Sequence, residues 1–318
     1  MRAFGRRKAY NAVVMAVPAE LVTAVLLVAV GWAVLVALAL WLTGVQPRRG
    51  SFEASALLRL IQVYCRAVHR LQVSGLEHVP QPARTRADVT EVGAMGAVEG
   101  ERSGGGGGSG DRASEGRAGE GRRGLIVVAN HTAGVDPLLI QAALDRMEPR
   151  WMMAEDMRHP ALEWLWRFAS IIFVDRAKPG HAGLNEAIGH LRSGGTLGLF
   201  PEGRIERPER TILPFQPGLG VLVRKTGARV LPVIVRGTPG GPTAWSSLLR
   251  RSRSSVEFLP VLDFAEAGGG KVRTPAAEIT GELRETFRRH SGWPLNDDPE
   301  PLPWDVGSGD AGEADASS

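Results

Sequence analysis

Hydrophobic and polar positions divide the chain into parts with different patterns. Residues 1–47 are basic at the start and then almost entirely apolar, and positions 21–42 carry no charge. At about 1.5 Å per residue, a helix over these positions is long enough to cross a hydrocarbon core of about 30 Å. The pattern predicts an N-terminal membrane anchor, either one transmembrane helix or a hairpin broken near Pro18 or Gly31 that lies in one leaflet.

A cleaved signal peptide is the alternative for this first part. Arg2, Arg6, Arg7 and Lys8 form a basic start, as signal peptides have. The apolar segment is longer than the usual signal-peptide core, however, and no small-residue cleavage site follows it. The pattern therefore favours an anchor, and the nearly balanced basic residues on its two sides leave its orientation open.

Three further segments surround a central region. Residues 48–80 contain apolar positions at helical spacing with arginines between them, which predicts an amphipathic helix over 51–80 that ends near Ser74 and Gly75. Residues 81–123 are rich in glycine and alternate Arg with Glu, and residues 293–318 are acidic and rich in Gly, Ser and Pro. Neither segment has an apolar face to bury, so both are predicted to be disordered.

The central region, residues 124–292, alternates short apolar runs with helical patterns. This alternation predicts an α/β fold in which a mixed, mostly parallel sheet is flanked by helices. The predicted strands are 125–129, 151–154, 171–174, 196–200, 229–235 and 256–262. The predicted helices are 137–144, 161–168, 181–191, 219–225 and 276–290.

The amino-acid composition excludes some kinds of site and favours some kinds of ligand. The single cysteine, Cys65, excludes an intrachain disulfide and a cysteine-rich metal site. The formal net charge of +4 suits an anionic membrane or a phosphorylated ligand and does not imply nucleic acid.

Polar residues follow the first predicted strand at Asn130-His131-Thr132-Ala133-Gly134-Val135-Asp136-Pro137. A carboxylate that is separated from a histidine by four residues, across a turn, can fix the imidazole tautomer and leave the other ring nitrogen as a general base. The alternative is structural, because an aspartate followed by proline is also a common way to begin a helix.

Two other strands also end in charged residues. Asp175 and Arg176 follow one strand, and Phe200-Pro201-Glu202-Gly203-Arg204 with Arg207 follows the next. Ligand sites of α/β proteins gather at strand ends, and arginine forks bind phosphate well. A solvated ion pair and an ordinary turn are the structural alternatives for these two junctions.

These blocks together resemble the PlsC-type glycerolipid acyltransferases, the lysophosphatidic acid acyltransferase family. The region from His131 to Asp136 is similar to the family's motif of a histidine, four residues and an aspartate. The second, third and fourth blocks are similar to 173–176, 200–203 and 230–233, and the segment 75–80 is similar to the approach to the first block. The resemblance covers about residues 51–262 once the Gly-rich insertion is removed.

The resemblance implies acyl transfer from acyl-CoA or acyl-carrier protein to the free hydroxyl of a lysophospholipid, without a metal or cofactor. His131 would be the general base and Asp136 its orienting partner. The glycerophosphate of the acceptor, 1-acylglycerol-3-phosphate, would be held by Arg176, Glu202, Gly203 and Arg204. The expected location is a bacterial inner membrane, with the catalytic domain on the cytoplasmic side.

Two positions depart from the family pattern. Ala133 stands where the family commonly has serine, and Arg204 follows Gly203 directly, which makes Arg207 a further candidate for the phosphate. Other acceptors, such as glycerol-3-phosphate, another lysolipid or an amino-acid lipid, remain alternatives. Outside this class, the alternatives are a metal-dependent hydrolase that uses His131, Asp136 and Glu202, and a non-catalytic, membrane-tethered lipid-binding module.

Overall fold

A computed structural model describes much of the chain. The described residues are 19–43, 52–80, 123–144, 149–175, 181–240, 244–266 and 271–299. The predicted Gly-rich insertion lies outside these residues apart from Arg123, and so do Arg176, residues 1–18 and the chain beyond residue 299.

Within the described residues, seven strands form one sheet in the order β1-β7-β6-β2-β5-β3-β4. The pairs β2–β5, β2–β6, β3–β5 and β3–β4 are parallel. The strands are β1 (Gln72–Ser74), β2 (Leu125–Ala129), β3 (Arg150–Ala154), β4 (Ile172–Val174), β5 (Thr196–Leu199), β6 (Arg229–Arg236) and β7 (Ser255–Phe258). The mixed, mostly parallel sheet predicted from the sequence is confirmed.

Helices occupy most of the segments between these strands. They are α1 (Ala19–Thr43), α2 (Phe52–His69), α3 (Asp136–Leu144), α4 (Glu163–Phe168), α5 (His181–Arg192), α6 (Gly218–Thr226) and α7 (Ala276–Ser291). Short 3₁₀ turns include Pro160–Leu162 and Ala244–Leu249. Gly227 and Gly292 end α6 and α7 in the left-handed conformation that glycine adopts without strain.

The chain divides into two compact units. The second unit comprises Ser74–His131, Arg146–Ile234 and Glu257–Ser318, and it contains most of the sheet. All five residues of β2 are buried, which is the pattern of a parallel strand covered on both faces. Helix α7 buries Ile279, Leu283 and Phe287, one from each successive turn, against the core of this unit.

The first unit comprises Met1–Val73, Thr132–Asp145 and Val235–Val256. Helix α2 packs on α3: the Gln62 side chain donates a hydrogen bond to the Ala142 carbonyl at 3.3 Å, and the Cys65 thiol lies 3.7 Å from the Leu138 carbonyl. Cys65 is fully buried, and burial raises the pKa of its thiol to about 12. This thiol is therefore unreactive at neutral pH.

A buried histidine at the end of α2 joins this helix to a distant loop. His69 is fully buried; its Nδ1 lies 2.8 Å from Ser252 Oγ, and its Nε2 lies 2.9 Å from the Tyr64 hydroxyl. Burial lowers the pKa of His69, and the negative charge of Asp136 opposes that shift. The neutral imidazole, with both nitrogens hydrogen-bonded, is the form that this pocket favours.

The apolar N-terminal segment forms helix α1, which continues through Gly31 without a break. The alternative of a hairpin broken at Gly31 is therefore wrong, and Pro18 lies outside the described residues. No helix in the described parts of the chain is long and apolar enough to cross a membrane. The transmembrane part of the fold prediction thus has no support from the structure.

The predicted amphipathic helix over 51–80 is too long. Helix α2 ends at His69, because Arg70 takes a left-handed φ of 46° and the Gln72 amide donates to the Ser254 carbonyl at 2.9 Å. The chain then forms β1. Strand β7 ends at Phe258 rather than at residue 262, and the Leu259 amide donates to the Pro232 carbonyl at 2.9 Å.

Candidate active site

His131 lies where the chain leaves β2, in the second unit. Its backbone amide donates to Glu202 Oε1 at 3.4 Å, and its carbonyl accepts a hydrogen bond from the Glu206 amide at 2.7 Å. Both partners belong to the loop after β5, which is the parallel neighbour of β2. Because the carboxyl ends of parallel strands meet at one edge of a sheet, the fold brings these two sequence-predicted junctions together.

The His131 ring belongs to an aromatic stack. It packs on the Phe200 ring with centroids 4.1 Å apart and planes at 18°, and Phe200 packs in turn on Trp151 at 5.4 Å. Gly198 makes room for this stack, since a Cβ atom there would lie 2.6 Å from the Trp151 ring. Stacking fixes the plane of the imidazole, and the hydrogen bonds of an imidazole lie in that plane.

The loop after β5 contains four of the predicted substrate-binding residues. Glu202 is buried, Gly203 takes a left-handed φ of 70°, and Arg204 and Arg207 are half-buried. Glycine adopts this conformation without strain, and the Gly203 amide closes a turn onto the Phe200 carbonyl at 3.1 Å. Arg176, the fifth, lies outside the described residues.

Glu206 is a residue of this loop that the sequence did not point to. It is 2% exposed, and its Oε1 accepts a hydrogen bond from the Arg210 amide at 2.8 Å. Its carbonyl accepts a hydrogen bond from the Arg207 guanidinium at 2.6 Å. Glu206 therefore holds the loop closed from the inside, while the two half-buried arginines keep part of their surface accessible.

Asp136 belongs to the first unit and is fully buried. Its Oδ2 accepts hydrogen bonds from the amides of Thr132 at 2.7 Å and Ala133 at 2.8 Å, and its Oδ1 accepts one from the Thr132 hydroxyl at 3.0 Å. Three donors compensate for the lost hydration of a buried carboxylate.

The structural alternative was that Asp136 serves only as the N-cap of α3, and these contacts argue against it. An N-cap side chain accepts from amides in the first turn of the helix that it begins. Here the amides of Leu138 and Leu139 donate to the Val135 carbonyl instead, at 3.0 and 3.2 Å. The carboxylate is turned back onto the loop that follows His131, and that loop is the one it holds in shape.

Thr238 is a second residue that the sequence did not point to. Its hydroxyl lies 2.5 Å from the Thr132 hydroxyl. A hydroxyl carries one hydrogen, and that of Thr132 points to Asp136, so Thr238 is the donor of this contact. Thr238, Thr132 and Asp136 thus form a directed chain of hydrogen bonds that ends on the carboxylate.

The signal for Thr238 in the sequence is weak. It follows Gly237, which takes a left-handed φ of 70° and whose added Cβ would lie 2.2 Å from the Arg253 carbonyl. A glycine-threonine pair after a strand is typical of many turns, so this pair alone did not predict a site. Within the described residues, no group of three or more His, Cys, Asp or Glu side chains is placed to hold a metal ion.

Comparison with known proteins gives a family and a fold. The family model described as Acyltransferase matches residues 70–236, just over half of the chain. The chain is 20% identical to the 1-acyl-sn-glycerophosphate acyltransferase PlsC from Thermotoga maritima, whose crystal structure superposes with a TM-score of 0.52. That superposition covers 80% of this chain and 86% of the Thermotoga chain, and at this identity it shows the fold.

Curated relatives match over shorter stretches. The chain is 30% identical over 125 residues to an N-acylphosphatidylethanolamine synthase from Arabidopsis thaliana. It is 32% identical over 129 residues to Taffazin from Dictyostelium discoideum, and 31% identical over 118 residues to a 1-acyl-sn-glycerol-3-phosphate acyltransferase from Borreliella burgdorferi. Each match covers 36% of this chain and 44–46% of the relative, so the chain spans less than half the length of these relatives.

Proposed function

Because the chain belongs to the Acyltransferase family and shares the fold of the Thermotoga PlsC, we propose that it is a PlsC-type enzyme that transfers an acyl chain from a thioester donor to the free hydroxyl of a lysophospholipid. The proposed acceptor is 1-acylglycerol-3-phosphate, which gives phosphatidic acid. The donor is acyl-CoA or acyl-carrier protein, and no cofactor or metal is needed. The single observation that carries the proposal is the fixed imidazole of His131 at the end of β2, separated by four residues of chain from the buried carboxylate of Asp136.

In the proposed mechanism His131 removes the proton from the acceptor hydroxyl as its oxygen attacks the thioester carbonyl. The new C–O bond forms a tetrahedral intermediate, whose collapse breaks the C–S bond. The imidazolium then returns the proton to the departing thiolate, so the enzyme ends in its starting state. Asp136 fixes the imidazole tautomer and stabilises the imidazolium, as the carboxylate does in a serine hydrolase triad.

The loop after β5 is the proposed phosphate site. Arg204 and Arg207 present guanidinium groups that suit the paired oxygens of a phosphate. Gly203 lets the backbone approach the ligand closely, and Glu202 supports the loop. Arg176 remains a proposed contact of the phosphate because of its position in the sequence motif. Holding the glycerophosphate would supply part of the rate by orienting the acceptor hydroxyl.

The proposal extends to the parts of the chain around the core. Residues 124–292 would form the acyltransferase core, residues 1–47 the anchor and 48–80 the amphipathic segment, with 81–123 and 293–318 as disordered segments. Membrane association, at a bacterial inner membrane with the core on the cytoplasmic side, suits substrates whose acyl chains reside in a bilayer.

A second candidate acceptor has a specific reason behind it. The relatives include an N-acylphosphatidylethanolamine synthase and Taffazin, so chains similar to this one carry different names, and the acceptor of one relative does not identify the acceptor of this chain. Acyl transfer to another lysolipid or to an amine-bearing lipid is therefore the alternative.

A labelled acyl-donor assay with a panel of acceptors tests the proposed function. The full chain is given labelled acyl-CoA or acyl-carrier protein with lysophosphatidic acid, glycerol-3-phosphate, other lysophospholipids or a lysolipid that lacks phosphate. We expect labelled phosphatidic acid from lysophosphatidic acid. His131→Ala should lower the rate about 10²- to 10⁴-fold, whereas the matched control His290→Ala on α7 should not. Failure of every acceptor, or a His131→Ala variant with more than half the activity, would refute the proposal.

A further inference from the structure

One surface of the first unit carries exposed arginines, and none of the acidic side chains described for this unit is exposed. We name it the arginine surface, and its members are Arg66, Arg70, Arg250, Arg251 and Arg253. Within the side chains described for this unit, Asp136 is the one carboxylate, and it is fully buried. The positive charge of the surface is therefore not balanced by neighbouring acidic groups in the described part of the unit.

Main-chain hydrogen bonds bring these arginines together from distant parts of the sequence. The amide of Ser252 donates to the Val68 carbonyl at 3.2 Å, and the amide of Ser254 donates to the His69 carbonyl at 2.9 Å. The Tyr64 hydroxyl donates to the Leu248 carbonyl at 2.5 Å. The loop that contains three arginines is thus fastened along the end of α2, where Arg66 lies in the helix and Arg70 directly follows it.

Several exposed arginines of the second unit are neutralised by neighbouring carboxylates. In the second unit, Arg158 forms an ion pair with Glu163 at 2.7 Å, and Arg288 forms one with Glu285 at 2.5 Å. Among the described residues, the ion pairs of the protein include none with a member of the arginine surface. An anionic partner would therefore meet cations that form no ion pair with the described carboxylates.

The arginines lie beside exposed apolar side chains. Leu249, next to Arg250, is 62% exposed, and Val63, one turn before Arg66, is 42% exposed. Helix α1 of the same unit exposes Leu27 at 69% and Trp32 at 49%. Apolar side chains with interspersed arginines suit the boundary of a bilayer, where the apolar groups enter the acyl region and guanidinium groups bind lipid phosphates.

From this combination we propose that the arginine surface docks on an anionic lipid surface. A soluble acidic protein would also complement the charge, but it would leave the neighbouring Leu249 and the apolar face of α1 without an apolar environment. The proposal does not rest on acyl transfer, because binding to lipid can be measured without catalysis. In this proposal a loop more than 150 residues after α2 makes a charge-dependent contact with the lipid surface. This contact is additional to any membrane binding by α1.

Vesicle flotation of the full chain tests the charge dependence. The vesicles are neutral phosphatidylcholine, or phosphatidylcholine with phosphatidylglycerol. The variant is Arg250→Gln/Arg251→Gln/Arg253→Gln. The matched control removes three exposed arginines from the second unit and is Arg273→Gln/Arg288→Gln/Arg289→Gln.

We expect the wild type to favour the anionic vesicles and the variant to lose about tenfold or more of that partition, since one arginine near such a surface is worth roughly fivefold. The control should keep the partition, and high salt should abolish the preference of the wild type. Equal binding of the wild type to both vesicles would overturn the proposal. If the triple variant does not fold, the salt titration of the wild type and the single variant Arg253→Gln decide the question.

A dye at position 249 separates the arginine surface from α1. Leu249→Cys can be labelled selectively because the Cys65 thiol is buried and its pKa is about 12. We expect the emission of an environment-sensitive dye to shift to the blue on anionic vesicles, and a dye at Glu282→Cys on α7 to stay unchanged. Flotation without a shift at position 249 would assign binding to α1 alone. A shift caused by acidic carrier protein and not by vesicles would make the surface a protein-docking site. Either result overturns the proposal.

Discussion

Two loops of the protein, one in each unit, hold their charged groups in opposite ways. The loop 132–136 directs its amides and one hydroxyl inward onto Asp136, which is fully buried. The loop 200–207 also buries carboxylates, Glu202 and Glu206, but it leaves Arg204 and Arg207 half-buried. A charge that must stay in one place is enclosed by fixed donors, whereas charges that must receive a ligand keep accessible surface.

This difference assigns separate kinetic effects to the two loops. In the proposed mechanism the carboxylate acts on the transition state through the imidazole, so disturbing it should lower kcat. The arginines act on the bound acceptor, so disturbing them should raise the KM for that acceptor or lower its kcat/KM. Variants in the two loops therefore test whether the loops affect different kinetic constants.

The largest of the graded effects is expected at Arg204. Arg204→Lys replaces a planar fork by a point charge, and charge-assisted hydrogen bonds are worth roughly 1.5 to 3 kcal/mol. Steady-state kinetics should show kcat/KM for lysophosphatidic acid lowered about tenfold or more, with the KM for the acyl donor unchanged. The matched control is Arg210→Lys, at an exposed position that follows this loop in the sequence. Equal use of an acceptor without phosphate would break the comparison at this loop.

A smaller effect is expected at Thr238. Thr238→Val removes the hydroxyl that donates to Thr132, so the chain of hydrogen bonds that ends on Asp136 loses its first donor. We expect kcat to fall about three- to tenfold with the acceptor KM unchanged, because neutral hydrogen bonds contribute about 0.5 to 1.5 kcal/mol. Thr238→Ser should restore kcat. A fall in thermal stability with normal kcat in both variants would assign Thr238 a purely structural role.

The smallest effect concerns stability rather than catalysis. The pKa of His69 is lowered in the folded state, chiefly by burial, so below about pH 6.5 the unfolded chain binds a proton that the folded chain resists. Stability should therefore be full above pH 7 and fall as the pH is lowered through 6.5. Thermal unfolding at pH 7.5 and 5.5 measures this fall. In His69→Gln the fall should be smaller, and an identical fall in both proteins would contradict the role of His69.

Much of the fold follows from short-range patterns. The buried runs of β2, β5 and β6 and the apolar spacing of α5 and α7 were predicted to within about two residues, because each is fixed by burial along one continuous stretch. Strand β1 was missed, since Gln72, Val73 and Ser74 have no strand pattern and depend on a partner far along the chain.

The candidate site, like the fold, was predictable only where short continuous stretches of sequence encode it. His131, Asp136 and the 202–207 loop could be proposed from the sequence because they follow the ends of strands in a recognisable order. The Thr132–Thr238 contact joins residues 106 positions apart, and no local pattern encodes it. The sequence also did not predict which amides the Asp136 carboxylate accepts hydrogen bonds from. An aspartate suits both a helix N-cap and a contact with the preceding loop.

The direct test of the His131–Asp136 account is Asp136→Asn, measured for both kcat and thermal unfolding. The asparagine oxygen can still accept from the Thr132 and Ala133 amides, and its NH₂ group can donate to the Thr132 hydroxyl. We therefore expect a small change in melting temperature and a fall in kcat of about 10²-fold or more, because the charge that stabilises the imidazolium is gone. Normal kcat, or a loss of activity no larger than the loss of folded protein, would contradict the account.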